Sequence, residues 1–421
     1  MTITRVEALN YRCLRHVDQP LSPFQVLVGP NASGKSTFLD VIAFLSDLVT
    51  DGLTPALSKR SDNISDLIWD RTSTRFELAI EAAIPASIQR RLPKTTLNTI
   101  RYEVAIKARP ELNEVHLAEE RLTIKPGGTL SDLQRDMFPD TRLRPDTLLS
   151  KLGAHGTRTV LRKNPHGNDN FYSELSDRSG SGGWKPVFKL GPRRSALGNL
   201  PEDEENLPAA TWFKEFLTTG IHQIQLNSLK LRLASPPGQG NAFLPDGSNL
   251  PWVIYDLEKD APDQLRQWVA HLQTALPEIE SIRTVEFPDT RQRYLTIRYT
   301  TGVEVPSWGV SDSTLRLLAL TILAYLPNFQ GVYLIEEPEN GIHPTVVETV
   351  FQSLSSIYDA QVLVATHSPI FLSLVALPDL LCFAKTPQGP TDIVRGDLHP
   401  AIQDWRNDVN LSQLFAAGVL S

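Results

Sequence analysis

Short apolar runs that end in polar tips organise this chain. Phe24-Gln25-Val26-Leu27-Val28 runs into a glycine-rich segment, Val332-Tyr333-Leu334-Ile335 ends in Glu336-Glu337, and Val362-Leu363-Val364-Ala365 ends in Thr366-His367. Runs this short and this continuous read as strands buried on both faces. Thr37 to Leu45, after the first run, and Pro344 to Tyr358, between the other two, space their apolar residues as helices do, with Pro344 suited to a first turn. Parallel strands joined by helices place their chemistry at the carboxyl ends. The pattern therefore predicts an α/β sheet whose ligand edge gathers a glycine loop, two carboxylates and a histidine.

The rest of the chain reads differently. Ile3 to Leu9 is expected to pair beside the Phe24–Val28 strand. Phe76 to Glu81, Tyr102 to Ile106 and Arg121 to Ile124 alternate like half-exposed antiparallel strands, which predicts a β-rich subdomain. From Pro126 to about Pro208 the chain turns rich in Gly, Pro, Asn and Asp, including Gly180-Ser181-Gly182-Gly183 and Glu202-Asp203-Glu204-Glu205. That stretch predicts an irregular insertion with mobile loops. Helices resume at Trp212 to Thr219, Trp252 to Glu258 and Asp263 to Leu276, followed by a hairpin-like pair near Arg291 to Tyr299. No heptad run crosses this middle region, which excludes a long coiled coil. Asp404 to Phe415 reads as a closing helix suited to docking a partner.

Composition narrows the class. With 421 residues, 41% of them hydrophobic, the chain can build two or three cores. The longest apolar run, Leu317 to Leu326, is broken by Thr321 and bounded by Arg316 and Pro327, too short to span a bilayer. Met1 to Arg5 lacks the apolar core of a signal peptide, and two cysteines, Cys13 and Cys382, make no disulfide framework; both point to the cytoplasm. The formal charge of −7 excludes a wholly basic nucleic-acid sleeve. Local basic groups remain at Arg90, Arg91 and Lys94, at Arg158, Arg162 and Lys163, at Arg193 and Arg194, and at Arg291, Arg293 and Arg298. Scattered solvated charge accounts for such groups more economically than a nucleic-acid stripe.

The glycine segment carries the strongest chemistry. Gly29-Pro30-Asn31-Ala32-Ser33-Gly34-Lys35-Ser36, followed by Thr37, matches the P-loop pattern between a strand and a helix. There, successive backbone N–H groups and a helix N-terminus hold a polyphosphate. Lys35 would reach the β- and γ-phosphates and the Ser36 hydroxyl would take one place on Mg²⁺. Glu336 and Glu337 end one strand with diverging side chains, which suits Glu336 to Mg²⁺ and Glu337 to polarising a water. His367, at another strand tip, suits hydrogen bonding to the γ-phosphate or that water.

In this order the parts resemble ABC-type ATPases. Val332 to Pro338 looks like their Walker B strand, Glu339-Asn340-Gly341-Ile342-His343-Pro344 is similar to their D-loop, and His367 resembles their switch histidine. Trp308-Gly309-Val310-Ser311-Asp312-Ser313-Thr314-Leu315-Arg316 resembles their signature motif. The likeness points to the SMC, RecF and OLD branch and to the stand-alone AAA-family ATPases of prokaryotic anti-phage defence operons. It covers roughly residues 1–45 and 305–370. Two positions differ from the pattern: Glu336 where Asp is usual, and Ser313 where Gly is usual.

The resemblance implies an α/β fold, a P-loop ABC-type ATPase head with mixed sheet, a β-rich subdomain and an inserted α/β middle region. Residues 1–125 and 301–421 would form the two halves of the head, with 126–300 inserted. ATP and Mg²⁺ would be the ligands, and Tyr11 and Arg12 would lie in the strand region that approaches the nucleotide. Ser311 and the N–H groups opening its helix would form a second anion site for the γ-phosphate held by a partner copy, so that hydrolysis needs a homodimer. An ATP-gated dimer would then control DNA, RNA or a separate effector such as a nuclease or toxin, with no membrane role. The alternative is a slow or non-hydrolysing ATP-bound scaffold holding a toxic partner protein inactive.

Overall fold

The computed structural model describes residues 2–71, 73–109, 114–128, 136–140, 143–151, 153–164, 167–175, 187–239, 242–327 and 329–403. These form two compact units, one built from residues 2–221 and 377–403, the other from 222–376. The expected closing helix after Asp404 and the Gly180–Gly183 stretch lie outside the described residues.

The first unit begins with β1 (Ile3–Tyr11), β2 (Leu14–Pro20) and β3 (Phe24–Val28), then α1 (Lys35–Thr50) and α2 (Leu53–Ser58). After them come β4 (Arg75–Ala83), α3 (Ala86–Gln89), β5 (Thr99–Arg109), β6 (Glu114–Lys125), β7 (Arg158–Lys163), β8 (Asp169–Phe171), β9 (Val187–Phe188) and α4 (Pro208–Thr219). Eight of these strands form one sheet in the order β2-β1-β4-β5-β6-β7-β8-β9. The expectation that the opening strand pairs beside Phe24–Val28 is corrected here. β1 folds back on β2 through a hairpin closed at Tyr11 and Leu14, and its other edge pairs with β4. Arg12 takes a φ of 49° in that tight turn, and a local hairpin closes at less entropic cost than a distant pairing.

The alternating strands of this sheet are not half-exposed. Glu7, Glu77, Glu81, Glu103 and Arg101 are all buried. Arg101 donates to Glu7 at 2.7 Å, to Glu81 at 2.8 Å and to Glu103 at 2.5 Å, so the polar face closes on itself. Residues 147–150 strap over it. Thr147 Oγ1 and the Leu148 N–H donate to Glu77 at 2.8 and 2.7 Å, and the Ser150 N–H donates to Glu103 at 3.0 Å. Burial alone would raise the Glu81 carboxyl, but the bond from Lys125 and the charge of Arg101 hold it below its ordinary range. The insertion is tied down the same way. Glu120, fully buried on β6, accepts from Tyr102, Ser195, and the Ala196 and Leu197 N–H groups at 2.7–2.9 Å.

On the opposite side of the chemistry, α1 buries Phe38, Val41, Ile42, Phe44, Leu45 and Leu48, the spacing the sequence predicts. Phe44, Tyr11 and Phe76 form an aromatic cluster with ring centroids 5.1–6.0 Å apart. Truncating Phe44 to alanine would cost about 3–5 kcal/mol. Ser46 Oγ donates to Leu217 O at 2.7 Å, fastening α1 to α4.

The second unit follows β10 (Ile221–Ile224) with α5 (Ser228–Arg232), α6 (Leu250–Asp260), α7 (Pro262–Ala275) and the antiparallel strands β11 (Ile279–Glu286), β12 (Arg293–Tyr299) and β13 (Glu304–Pro306). α8 (Asp312–Thr321), β14 (Gly331–Glu336), α9 (Val347–Ser355), β15 (Ala360–Ala365) and α10 (Pro369–Leu374) complete it. β14 and β15 are parallel, with Glu336 in register with Ala365. Thr321, the polar break in the longest apolar run, accepts the indole N–H of buried Trp268 at 2.9 Å. The chain then returns to the first unit as β16 (Leu380–Lys385), parallel to β3, and β17 (Thr391–Arg395), antiparallel to β16. That mixed sheet carries the glycine loop. Among the described residues no helix is long and apolar enough to cross a membrane, and none exceeds the 16 residues of α1.

Candidate functional site

In the first unit, β3 hands the chain to a loop that only glycine can make at two points. At Gly29 a Cβ would sit 2.2 Å from Phe383 O, and at Gly34, with φ +108°, it would sit 2.5 Å from Thr391 Oγ1 and 3.1 Å from Cys13 Sγ. Between them Ala32 takes a left-handed φ of 61°. Thr391 Oγ1 donates to Ser33 O at 2.8 Å, so β17 braces the loop from behind. α1 then opens without a capping side chain and without an acidic residue in its first turn. Its N-terminal N–H groups and partial positive charge are left for an anion.

Two side chains complete the cradle. Lys35 is buried, and its ammonium donates to Gly29 O at 2.8 Å and Pro30 O at 3.0 Å, holding the loop in a curl around a cation. Ser33 Oγ is buried and has no hydrogen-bond partner among the described residues. A buried orphan hydroxyl costs on the order of 1–3 kcal/mol, which an incoming acceptor would recover. Ser36 and Pro30 to Ala32 are exposed, with Thr37 half-buried. The loop fits a polyphosphate. Tyr11 is a different matter. It is fully buried and its hydroxyl donates to Asp40 at 2.6 Å; burial first, and Asp40 second, raise its pKa well above the ordinary value. Tyr11 cannot touch a nucleotide. Arg12, half-buried, pairs with Asp40 at 3.3 Å.

In the second unit the acids and the histidine share one edge of the β14–β15 pair. Glu336, exposed, is the last residue of β14. Glu337 follows with φ +48° and donates its N–H to Ala365 O at 2.7 Å. A left-handed glutamate costs about 1–2 kcal/mol, which the turn closed by Asn340 N–H on Glu337 O at 2.9 Å holds in place. Asn340 Nδ2 also donates to the Glu337 carboxylate. His367, half-buried, sits two residues past Ala365.

Glu339 was not among the residues the sequence marks for chemistry. Its Oε1 accepts Thr366 Oγ1–H at 2.6 Å and the His367 N–H at 3.0 Å, while Oε2 is buried with no partner among the described residues. It therefore fastens the turn after β14 to the tip of β15. A carboxylate two residues beyond Glu337, before a glycine turn, was the available signal.

Ser311 caps α8. Its Oγ accepts the Thr314 N–H at 3.1 Å and lies 2.8 Å from Thr314 Oγ1. Asp312 pairs with Arg232 at 2.7 Å. Ser313, where the family pattern has glycine, accepts the His343 N–H at 3.0 Å. Gly341, with φ +75°, leaves room for Arg316, whose Nε would be 3.2 Å from an added Cβ. Residues 311–316 and 339–344 therefore meet at two points. Among the described residues no cluster of three His, Cys, Asp or Glu side chains could hold a metal unaided.

With this geometry established, comparison with known proteins is decisive for the family. Residues 24–373 match the family described as "AAA domain, putative AbiEii toxin, Type IV TA system". The chain belongs to this family. Membership places it among the ATP hydrolases, and the matched span runs from β3 through α10. The chain is also 42% identical over 84 residues to the OLD nuclease of Thermus scotoductus (strain ATCC 700910 / SA-01), a match over 20% of this chain and only 15% of that relative's length.

The fold is that of an SMC-type ATPase head. The crystal structure of an SMC head bound to the C-winged helix domain of ScpA superposes with a TM-score of 0.53 at 15% identity, covering 94% of this chain and 98% of that one. An SMC head with an extended coiled coil, bound to the C-terminal domain of ScpA derived from Pyrococcus furiosus, gives 0.48 at 13% identity, covering 96% of this chain and 98% of that one. At that score it adds nothing to the fold assignment.

Proposed function

We propose that this ATPase binds ATP on the Gly29–Thr37 loop, hydrolyses it through Glu337, and uses the nucleotide to gate a homodimer that controls nucleic acid or a separate effector, in anti-phage defence. The observation that carries the reading is the cradle. Gly29 and Gly34 admit no side chain, Ser33 Oγ lacks a partner among the described residues, and α1 presents an uncapped N-terminus. Such a site favours a polyphosphate over any neutral ligand.

The residues then divide the work. Lys35 exchanges its two loop carbonyls for phosphate oxygens. Ser36 and Glu336 are the groups that would hold Mg²⁺, an ion that keeps most of its shell as water and phosphate and so needs no protein cage. When bound, it would neutralise charge developing on the transferred phosphoryl group. Glu337 orients and deprotonates the water, and His367, positioned by Glu339, hydrogen-bonds the γ-phosphate or that water. Ser311 and the α8 N-terminus meet the γ-phosphate held by a second copy.

The role in defence draws on the toxin and nuclease named among the relatives, and the effector on the ScpA domain seen with the SMC head. One observation supports the slower scaffold reading: the Ser311 hydroxyl is engaged by Thr314 in its own helix and must turn outward to serve a partner. The dimer is tested by light scattering on Glu337→Gln. Addition of ATP and Mg²⁺ is expected to double the mass, and Lys35→Ala in the same chain to prevent it. A constant mass would reject the gated dimer. DNA should stimulate turnover, and the stimulation should fall steeply with salt. No stimulation at any salt would remove nucleic acid as a partner.

A further inference from the structure

The first unit holds a second cavity-lining set of cations, away from the glycine loop in the chain. A cavity of about 360 Å³ opens where the start of β6, Lys163 and Asn164, Gly167 and Asp169, and residues 189–193 meet. That volume suits a small ligand. Leu117 and Pro192 supply apolar wall, and Lys163, Lys189 and Arg193 supply charge.

Lys163 is the informative residue. Its side chain is 3% exposed, and its one acceptor among the described residues is Asp169 Oδ1 at 2.8 Å. An ammonium carries three donors, so two remain to be satisfied at the cavity wall. The other Asp169 oxygen, Oδ2, accepts the Leu190 N–H at 2.8 Å. Burying a lysine this deeply is costly unless further acceptors arrive. Lys189 and Arg193, both exposed, line the same cavity and make no side-chain hydrogen bond or ion pair with any described residue.

The arginines of the β11–β12 region are engaged. Arg293 lies against Trp252 and Tyr255, Arg291 pairs with Glu286, and Arg298 pairs with Glu280. Glu114 also lines the cavity and opposes a continuous polyanion such as nucleic acid.

We propose that this cavity is a binding site for a small phosphate-bearing molecule, its phosphate held by Lys163, Lys189 and Arg193 and its apolar part laid against Leu117 and Pro192. The site is independent of the nucleotide loop. The test uses the full chain carrying Lys35→Ala, which silences the glycine loop, and inorganic pyrophosphate titrated by calorimetry. Saturable binding at one site is expected, weakened at least about tenfold by Lys189→Ala with Arg193→Ala, and weakened by raising salt from about 50 to 200 mM. Lys163→Met should abolish it, but that change strands Asp169 in the interior, so the exposed double variant decides. No saturable heat, an unchanged Kd in the double variant, or equal affinity for malonate would each overturn the assignment.

Discussion

Glu339 shows how a single carboxylate can matter without touching substrate. One oxygen collects two donors from the β15 tip, and the other is buried without a partner among the described residues. Glu339→Ala would orphan the Thr366 hydroxyl and the His367 N–H, at a cost of about 1–3 kcal/mol, and loosen His367. Glu339→Gln keeps the accepting oxygen and replaces the orphan with a donor. Urea midpoints and kcat are therefore expected to fall for the alanine variant and to stay near wild type for the glutamine. Equal losses in both would mean the negative charge, not the hydrogen bonds, is what the site uses. At this scale the glycine loop was legible because all its information is local, one strand, eight residues and one helix. Glu339 was not, because its partners lie 27 and 28 residues away, just past the end of another strand. Ser313 looked like a departure from the pattern; its hydroxyl turns out to hold the His343 amide.

Elements in this protein are often capped from a distance. α4 begins with Leu207, which offers no capping side chain, and its first N–H groups are met instead by buried Glu174, which accepts from Ala209 and Ala210 at 2.8 Å each. Burial pushes the Glu174 carboxyl up to about 7 from an ordinary 4.5, against the lowering effect of those two bonds and of Arg158. The folded state therefore binds this proton more tightly than the unfolded chain. Its contribution is fully present below about 4.5 and is lost as pH rises through about 7, a change of at most about 3 kcal/mol. Urea midpoints are expected to decline between pH 5 and 8, and Glu174→Gln to flatten that decline. An unchanged slope in the variant would assign the pH dependence to other groups. Sequence patterning found the helix here but not its cap. Likewise it found β4, β5 and β6 but read their glutamates as solvent-facing, since alternation does not reveal that Arg101 and residues 147–150 cover that face.

The glycine loop lies in one unit and Glu336, Glu337, His367 and Ser311 lie in the other, with the polypeptide leaving the first unit near residue 221 and returning at 377. The strands that carry these groups were visible as apolar runs; the pairing of β1 with β4, some seventy residues on, was not. Hydrolysis is the central act of the proposed function, and Glu337 is the residue it assigns to the proton. The direct measurement is single-turnover ATP hydrolysis on wild type and Glu337→Gln, with bound nucleotide quantified in the same samples. The expected result is unchanged ATP binding with hydrolysis slowed by roughly 10²- to 10⁴-fold. Wild-type hydrolysis by Glu337→Gln would contradict it.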